Sequence, residues 1–200
     1  MDTTGLSRNE RRRLRTREQL KAAALALILE RGYDSFSVQD VTDRADLGRG
    51  TFYIHFQDKA DIAWAIVKDG IDATSREAYR RFQGEPLPPQ IEFFGYLNIL
   101  RHAEQHRDLY RVMLGSQGSS LLTARVQAYM AADFLQDLQT PGVYQELHAP
   151  REVLAQIITG AIIRLIVWWL ESSNPYTPEQ LAAMLYETLH HRPAPPTAAA

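Results

Sequence analysis

The 200-residue sequence predicts an all-α chain, and three features carry that expectation. Apolar residues recur three and four apart through most of the chain, the pattern of helices that bury one face. Start and stop chemistry brackets these runs, with Ser37 and Asp58 before two of them and Gly32 after another. Residues 153 to 170, "VLAQIITGAIIRLIVWWL", are apolar almost all round, as suits a helix buried on both faces.

Residues 1 to 13 read as a basic, flexible arm. The first helix lies in "TREQLKAAALALILERGY", where Leu20, Ala23, Ala24, Leu27 and Ile28 share a face and Gly32 stands at the C-terminal cap. In "SVQDVTDRA", Ser37 and Asp40 make a capping-box-like pair, and Val38, Val41 and Ala45 line one face of a short second helix. Asp46 and Leu47 follow, and Asp tolerates the left-handed backbone of a tight turn. Two short helices joined so briefly have helix-turn-helix geometry. In the next helix, residues 49 to 55, Phe52 lies on the same face as the following Phe56 and can pack with Leu47. The opposite arc carries Gly50, Thr51, Tyr53 and Ile54.

A long helix starts at Lys59 with Asp58 as its N-cap. "EPLPP" then punctuates the chain before an amphipathic stretch from about residue 90. Further helices are expected around residues 107 to 115, 119 to 139, 150 to 172 and 178 to 191, and "HRPAPPTAAA" reads as a disordered, low-complexity tail. The expected domains are therefore 14–58 and 59–191, between the arm and a tail from residue 192.

Composition narrows the function. A chain 45% hydrophobic and 23% charged is ordinary globular material. With no cysteine, disulfide frameworks, thiolate metal sites and a cysteine nucleophile are excluded, which fits a reducing cytoplasm. The first residues lack the apolar stretch of a signal peptide, so a cytoplasmic location is expected. Residues 153 to 170 approach bilayer-spanning length, but Gln156, Thr159 and Arg164 would then lie at hydrocarbon depth, so a core helix and no membrane partner is the better reading. The net charge of −2 hides an asymmetry: residues 1 to 21 hold seven Lys or Arg against three Asp or Glu. Phosphate binding needs only such a local basic footprint.

The segment "GRGTFYIHFQDK", residues 48 to 59, holds the binding chemistry. Gly50 leaves room for close approach, Thr51 and Tyr53 offer hydroxyls to phosphates or base edges, and Ile54 offers apolar surface suited to a thymine methyl. Arg49 and His55 flank the arc. Lys59, a cation in the first turn of a helix, opposes the helix dipole, a position easier to explain with a phosphate nearby. The alternative is that Tyr53, Ile54 and His55 merely pack against the following domain.

Catalytic motifs are weak. "HAEQH" lacks the glutamate directly after its first histidine that the zinc-protease motif requires, so His102 and His106 read as a solvated helix face. His190 and His191 are adjacent and diverge on a helix. No nucleophile-elbow, Walker or dinucleotide fingerprint is present, so no enzyme, cofactor or metal is expected.

Helix one with "ERGYDSFSVQDVTDRA", followed by "GTFYIHFQDKADI", closely resembles the DNA-binding domain of the TetR family of bacterial transcriptional regulators over roughly residues 14 to 67. The resemblance implies a three-helix DNA-binding domain followed by a larger helical domain that dimerises and often holds a small-molecule effector. Carried over residue by residue, Arg49, Gly50, Thr51, Tyr53, Ile54 and His55 would face the major groove of a pseudo-palindromic double-stranded operator. Ser37 and Gln39 would contact the backbone or a base edge, Lys59 a phosphate, and Arg15 with Arg17 match the family's basic lead into helix one. The turn departs from the family, which reads close to Ala-Gly-Val-Ser where this chain has "ADLG". Gly48 for the serine cap costs only a few tenths of a kcal/mol. The implied function is a homodimeric repressor released by an effector. An activator or a protein-controlled regulator is the second reading, and a helical binding protein or enzyme without DNA function the third.

For the second domain, Phe93, Phe94, Tyr96, Tyr110, Met113, Tyr129, Met130, Phe134 and Trp168 are candidates for an apolar pocket, although such positions at helical spacing are more often plain core. The last two helices look like the family's four-helix dimer bundle, with Ile157, Gly160, Ala161, Arg164, Trp168, Leu181 and Leu185 at the interface. Arg164, a charge in an apolar helix, calls for a partner such as Glu171 or Glu179 across the dimer, or an anionic ligand.

Overall fold

The computed structural model describes residues 7–81, 91–115, 118–137, 149–173, 175–191 and 193–195. The "EPLPP" punctuation lies outside the described residues, as does most of the expected tail. Among the described residues the regular elements are helical: α1 Arg8–Arg31, α2 Val38–Arg44, α3 Arg49–His55, α4 Lys59–Arg81, α5 Ile91–Gln105, α6 Arg107–Leu114, α7 Ser120–Asp137, α8 Arg151–Glu171 and α9 Pro178–His190. A single 3-10 turn, Tyr33–Ser35, joins α1 to α2. The chain divides into two compact units, Met1–Lys68 and Asp69–Ala200, so the division falls inside α4 and later than the boundary expected after residue 58.

In the first unit, α1 starts earlier than the apolar pattern implies. The Ser7 hydroxyl accepts from the Glu10 N–H at 3.2 Å, and the Glu10 carboxylate accepts from the Ser7 N–H at 2.8 Å. This reciprocal box satisfies two of the donors that a helix start leaves open and holds the Glu10 carboxyl below its ordinary range. It corrects the expectation of a flexible arm over residues 1 to 13: from Arg8 onward the segment is helical. Leu20, Ala23, Ala24, Leu27 and Ile28 are buried as expected, and Gly32 ends the helix at φ +81°, a region that favours glycine. Ser37 and Asp40 form the second reciprocal box, with bonds of 3.2 and 2.8 Å. Asp46 takes the left-handed conformation, φ 51°, that lets α2 turn into α3.

In the second unit α5 packs on α9, α7 on α8, and α6 between α7 and α8. Thr177 and Gln180 box the start of α9, with Pro178 in its first turn. The Arg101 guanidinium holds the Glu179 carboxylate at 2.9 Å, and the Trp169 indole N–H donates to the Tyr176 carbonyl at 3.0 Å. Glu179 is thus engaged within its own chain, which corrects its assignment to Arg164. The apolar helix α8 is long enough to cross a membrane by length and composition, but half of that apolar stretch is buried inside the protein. Ile158, Ile162, Ile166 and Trp169 face the core, whereas Val153, Ile157, Arg164 and Trp168 are exposed. Burial on both faces is therefore not met within one chain, and Arg164 lies on the exposed side.

His102 differs from the solvated residue expected of "HAEQH". Its ring is half-buried, shares a 2.9 Å hydrogen bond through Nδ1 with the Tyr110 hydroxyl, and lies against Gly70, where a Cβ would come within 3.1 Å of its Cε1. Burial, and secondarily the neighbouring His106, push its pKa down to about 4. The folded state therefore binds this proton less readily than the unfolded chain. Stability should be fully present above the unfolded histidine value near 6.5 and decline as pH falls toward about 4. Thermal unfolding from pH 7 to pH 4 checks this: His102→Gln should lose less melting temperature over that window than the wild type. Equal losses would remove His102 as the source.

Candidate nucleic-acid interface

The short helix α3 has two unlike sides. Phe52 is completely buried, and its ring meets Phe56, just past the helix end, at a centroid distance of 5.8 Å. On the other side Tyr53 is 53% and Ile54 66% exposed, with Arg49 and Gly50 also exposed. Thr51 and His55 are half-buried at the margins. The Arg49 guanidinium lies 3.4 Å from the Tyr53 hydroxyl, one turn along the same side. A Cβ placed on Gly50 would meet nothing within 4 Å, so the surface over that residue is open. The arrangement displays a cation, a phenol, a hydroxyl and an aliphatic group on one convex stripe, the donor and apolar types that base edges and phosphates accept.

Side chains of α1 and α2 hold this helix and the elements next to it. Arg17 of α1 donates to the His55 carbonyl at 3.0 Å and stacks on the Phe56 ring at 4.3 Å. It thereby meets a carbonyl that the C-terminus of α3 leaves open and complements the negative end of the helix dipole. Gln19 donates to the Ala45 carbonyl at 2.7 Å, tying α1 to the turn before α3. Arg31 with Asp40 at 3.3 Å and Arg44 with Glu30 at 2.8 Å join α1 to α2.

Lys59 corrects an expectation. Its ammonium donates to the Tyr33 and Phe36 carbonyls at 2.9 and 3.2 Å and sits 4.7 and 4.9 Å above the two rings. The cation at the start of α4 is thus accounted for within the unit, with no phosphate needed to explain it. Arg17, also expected on the DNA, is half-buried and turned toward α3, so its structural role is to position that helix. Arg15 is exposed. Ser37 and Gln39 are exposed at the start of α2; the Ser37 hydroxyl caps the helix, and the Gln39 amide donates to the Asp43 carboxylate at 2.5 Å.

His55 borders a groove of 290 Å³ that is also lined by Glu10, Arg13, Leu14 and Arg17. Burial lowers its pKa, with Arg13 and Arg17 adding to the effect, which favours the neutral imidazole. A neutral ring offers one donor and one acceptor. Sequence reasoning missed Gln19, because a polar residue one position before the first buried leucine carries no motif.

In the second unit most of the candidate pocket residues are engaged in core packing or hydrogen bonds. Phe93, Tyr96, Met113 and Met130 are core; Phe93 meets Tyr186 edge-on, and the Tyr96 hydroxyl shares a 3.1 Å bond with Nε2 of His190. Tyr110 is bound to His102, the Tyr129 hydroxyl donates to Asp72 at 2.6 Å, and Phe134 packs on Ala131 and Ala155. Phe94 is half-buried. Trp168, 40% exposed on α8, is no inner pocket residue, which corrects that assignment. Of the expected interface residues, Ile157, Arg164 and Trp168 are exposed, while Gly160, Ala161 and Leu185 are half-buried. Leu181 instead fills the chain's own core at 2% exposure, and its helix presents Met184 outward. Among the described residues no three His, Asp or Glu side chains converge to hold a metal ion.

The family model described as bacterial regulatory proteins, tetR family, matches residues 20–66, and one described as a transcriptional regulator C-terminal region matches residues 93–191. An uncharacterized HTH-type transcriptional regulator of Bacillus subtilis, YxbF, is 23% identical over 185 residues, 87% of this chain and 44% of its own length. The chain spans less than half the length of the curated relatives it matches. A putative TetR-family regulator from Syntrophomonas wolfei superposes with a TM-score of 0.72 at 19% identity, over 88% of this chain and 93% of that one. NalD, the secondary repressor of the MexAB-OprM efflux pump in Pseudomonas aeruginosa, superposes at 0.63 and 19%, over 89% and 96%. At these identities the superpositions speak for the fold.

Replacing Lys59 by Met keeps the apolar stem and removes the donors, which leaves two carbonyls without their charged partner. Denaturant unfolding should then show a loss of about 1 to 3 kcal/mol. Unchanged stability together with weakened binding to duplex DNA would return Lys59 to the phosphate contacts.

Proposed function

Because the chain belongs to the TetR family of bacterial regulatory proteins, we propose that it is a homodimeric, sequence-specific DNA-binding regulator, a repressor released by a small-molecule effector. The observation that carries this reading is the two-sidedness of α3: Phe52 is wholly buried beneath it, and Arg49, Gly50, Tyr53 and Ile54 are exposed together above it. Such a helix fits the major groove, with Arg49 and Tyr53 reaching bases or phosphates and Ile54 a thymine methyl. Thr51 and His55 join at its margins, Ser37, Gln39 and Arg15 would contact the backbone, and Arg17 and Lys59 would act by holding the unit together.

Dimerisation is supported by the exposed stripe of α8. Val153, Ile157 and Trp168 place apolar surface on one side of a helix, with Gly160 and Ala161 between them and Met184 exposed on α9. A twofold contact there buries the stripe of each copy against the other and places Arg164 near the partner. Two copies of α3 then read half-sites one or more helical turns apart. An effector in the second unit releases the operator only by binding more tightly to a dimer geometry whose half-site spacing no longer fits. Similarity to curated relatives named as transcriptional repressors supports repression, and a regulator of this kind acts in the cytoplasm, where the chromosome lies.

Replacing Tyr53 by Ala should cost about 1 to 3 kcal/mol of operator affinity while leaving affinity for scrambled duplex nearly unchanged. Competition titration of the two duplexes measures both. An unaltered ratio would take Tyr53 out of the reading surface.

A further inference from the structure

His102, His106 and Tyr110 stand four residues apart across the junction of α5 and α6. The His106 N–H donates to the His102 carbonyl at 3.0 Å, and the Tyr110 N–H to the His106 carbonyl at 3.1 Å. Helical register is therefore kept through the junction, and the three side chains form one column. The two imidazole rings lie 4.4 Å apart between centroids, and the Tyr110 ring meets that of His102 edge-on at 5.7 Å. His102 is half-buried and His106 exposed, so the pair opens to solvent at its outer member.

Of the four ring nitrogens only Nδ1 of His102 has a partner, the Tyr110 hydroxyl. Its Nε2, and both nitrogens of His106, make no hydrogen bond or ion pair among the described residues. That Nε2 lies on the side of Gly70, 3.5 Å from where a Cβ there would sit, so the missing side chain leaves it uncovered. The neighbouring cations are engaged elsewhere: Arg101 holds Glu179, and the Arg107 guanidinium lies over the Trp169 ring at 5.5 Å. A half-buried nitrogen without a partner costs the fold stability, and the cost is removed when its lone pair binds something.

The donors define what that is. Two imidazoles one helical turn apart can offer their lone pairs to one metal ion, and neutral imidazole is the form that binds. Burial keeps His102 neutral at pH 7, so protons do not compete with a metal there. With a hydrogen on Nδ1, that N–H donates to the Tyr110 oxygen and leaves the Nε2 lone pair free, the outer-shell bond that orients metal-bound histidines. Among the described residues no third His, Asp or Glu joins the pair, which disfavours a closed tetrahedral zinc site. Copper(II) and nickel(II) accept nitrogen donors in tetragonal sites whose other positions water can fill.

We propose that His102 and His106 form a two-histidine site for a nickel(II) or copper(II) ion, with Tyr110 orienting His102 and water completing the coordination. The site is independent of the regulator reading and neither supports nor requires it.

The test is calorimetric titration of the untagged full chain with Ni2+ at pH 7, which should show one ion bound per protomer. His106→Ala changes an exposed side chain, so the metal-free variant should melt as the wild type does while its affinity for Ni2+ falls by about tenfold or more. His102→Gln should lose affinity to a similar degree. His191→Ala, at a histidine just past α9, should bind Ni2+ as the wild type does. A wild type that binds no Ni2+ overturns the site, and so does wild-type affinity in His106→Ala. Affinity lost in His106→Ala but kept in His102→Gln also overturns it, because one surface histidine then accounts for the binding. Affinity lost only in His191→Ala would place the ion elsewhere and contradict the proposal.

Discussion

The burial of Phe52 and Phe56 is the constraint on which the display of α3 depends. A seven-residue helix, Arg49–His55, is far too short to persist alone in water, and Gly48 gives it no side-chain cap. Its order comes from outside. Burying a phenylalanine side chain contributes on the order of 1.5 to 3 kcal/mol, and two of them lie beneath this helix and its end. Once Phe52 points inward, helical geometry turns Tyr53, Ile54 and Gly50 outward, and the Arg17 bond to the His55 carbonyl fixes where the helix stops. The exposed stripe is therefore a consequence of the core beneath it.

The cations of the first unit fall into two groups with different physics. Arg17, Arg31, Arg44 and Lys59 each meet a carbonyl or a carboxylate of their own unit and brace α1, α2 and the start of α4. Arg8, Arg11, Arg12, Arg15 and Arg49 point into solvent without a carboxylate partner among the described residues. The first group sets the geometry in which the second is presented. Net charge hides this division, since −2 for the whole chain tells nothing of which guanidinium groups remain available to a polyanion.

Local signals in the sequence announced much of this architecture. The Ser37 and Asp40 pair, Gly32 at the end of α1, Asp46 in the turn and Asp58 before α4 each carry their own backbone chemistry, and each lies where that chemistry requires. The same logic was available at "SRNE", where Ser7 and Glu10 spell a capping box, but apolar periodicity begins only later in the helix. Long-range partners were not legible. Lys59 finds carbonyls near residue 35, and Leu181 rather than its neighbour Met184 turns inward, through contacts that no local spacing encodes. Arg164 looked buried because its neighbours in sequence are apolar, yet it shares its side of α8 with Ile157 and Trp168, which are exposed. His102 looked solvated because it sits in a polar pentapeptide, and only the packing of α5 brings Tyr110 and Gly70 to it.

The most direct test of the account is selection from a pool of random duplex DNA by the purified protein at its own dimer concentration, read by sequencing. The account predicts a pseudo-palindrome whose two half-sites are separated by a whole number of helical turns, and loss of that enrichment when Tyr53 and Ile54 are both replaced by Ala. A folded, dimeric protein that enriches no sequence, or one whose enrichment survives that double replacement, would contradict it.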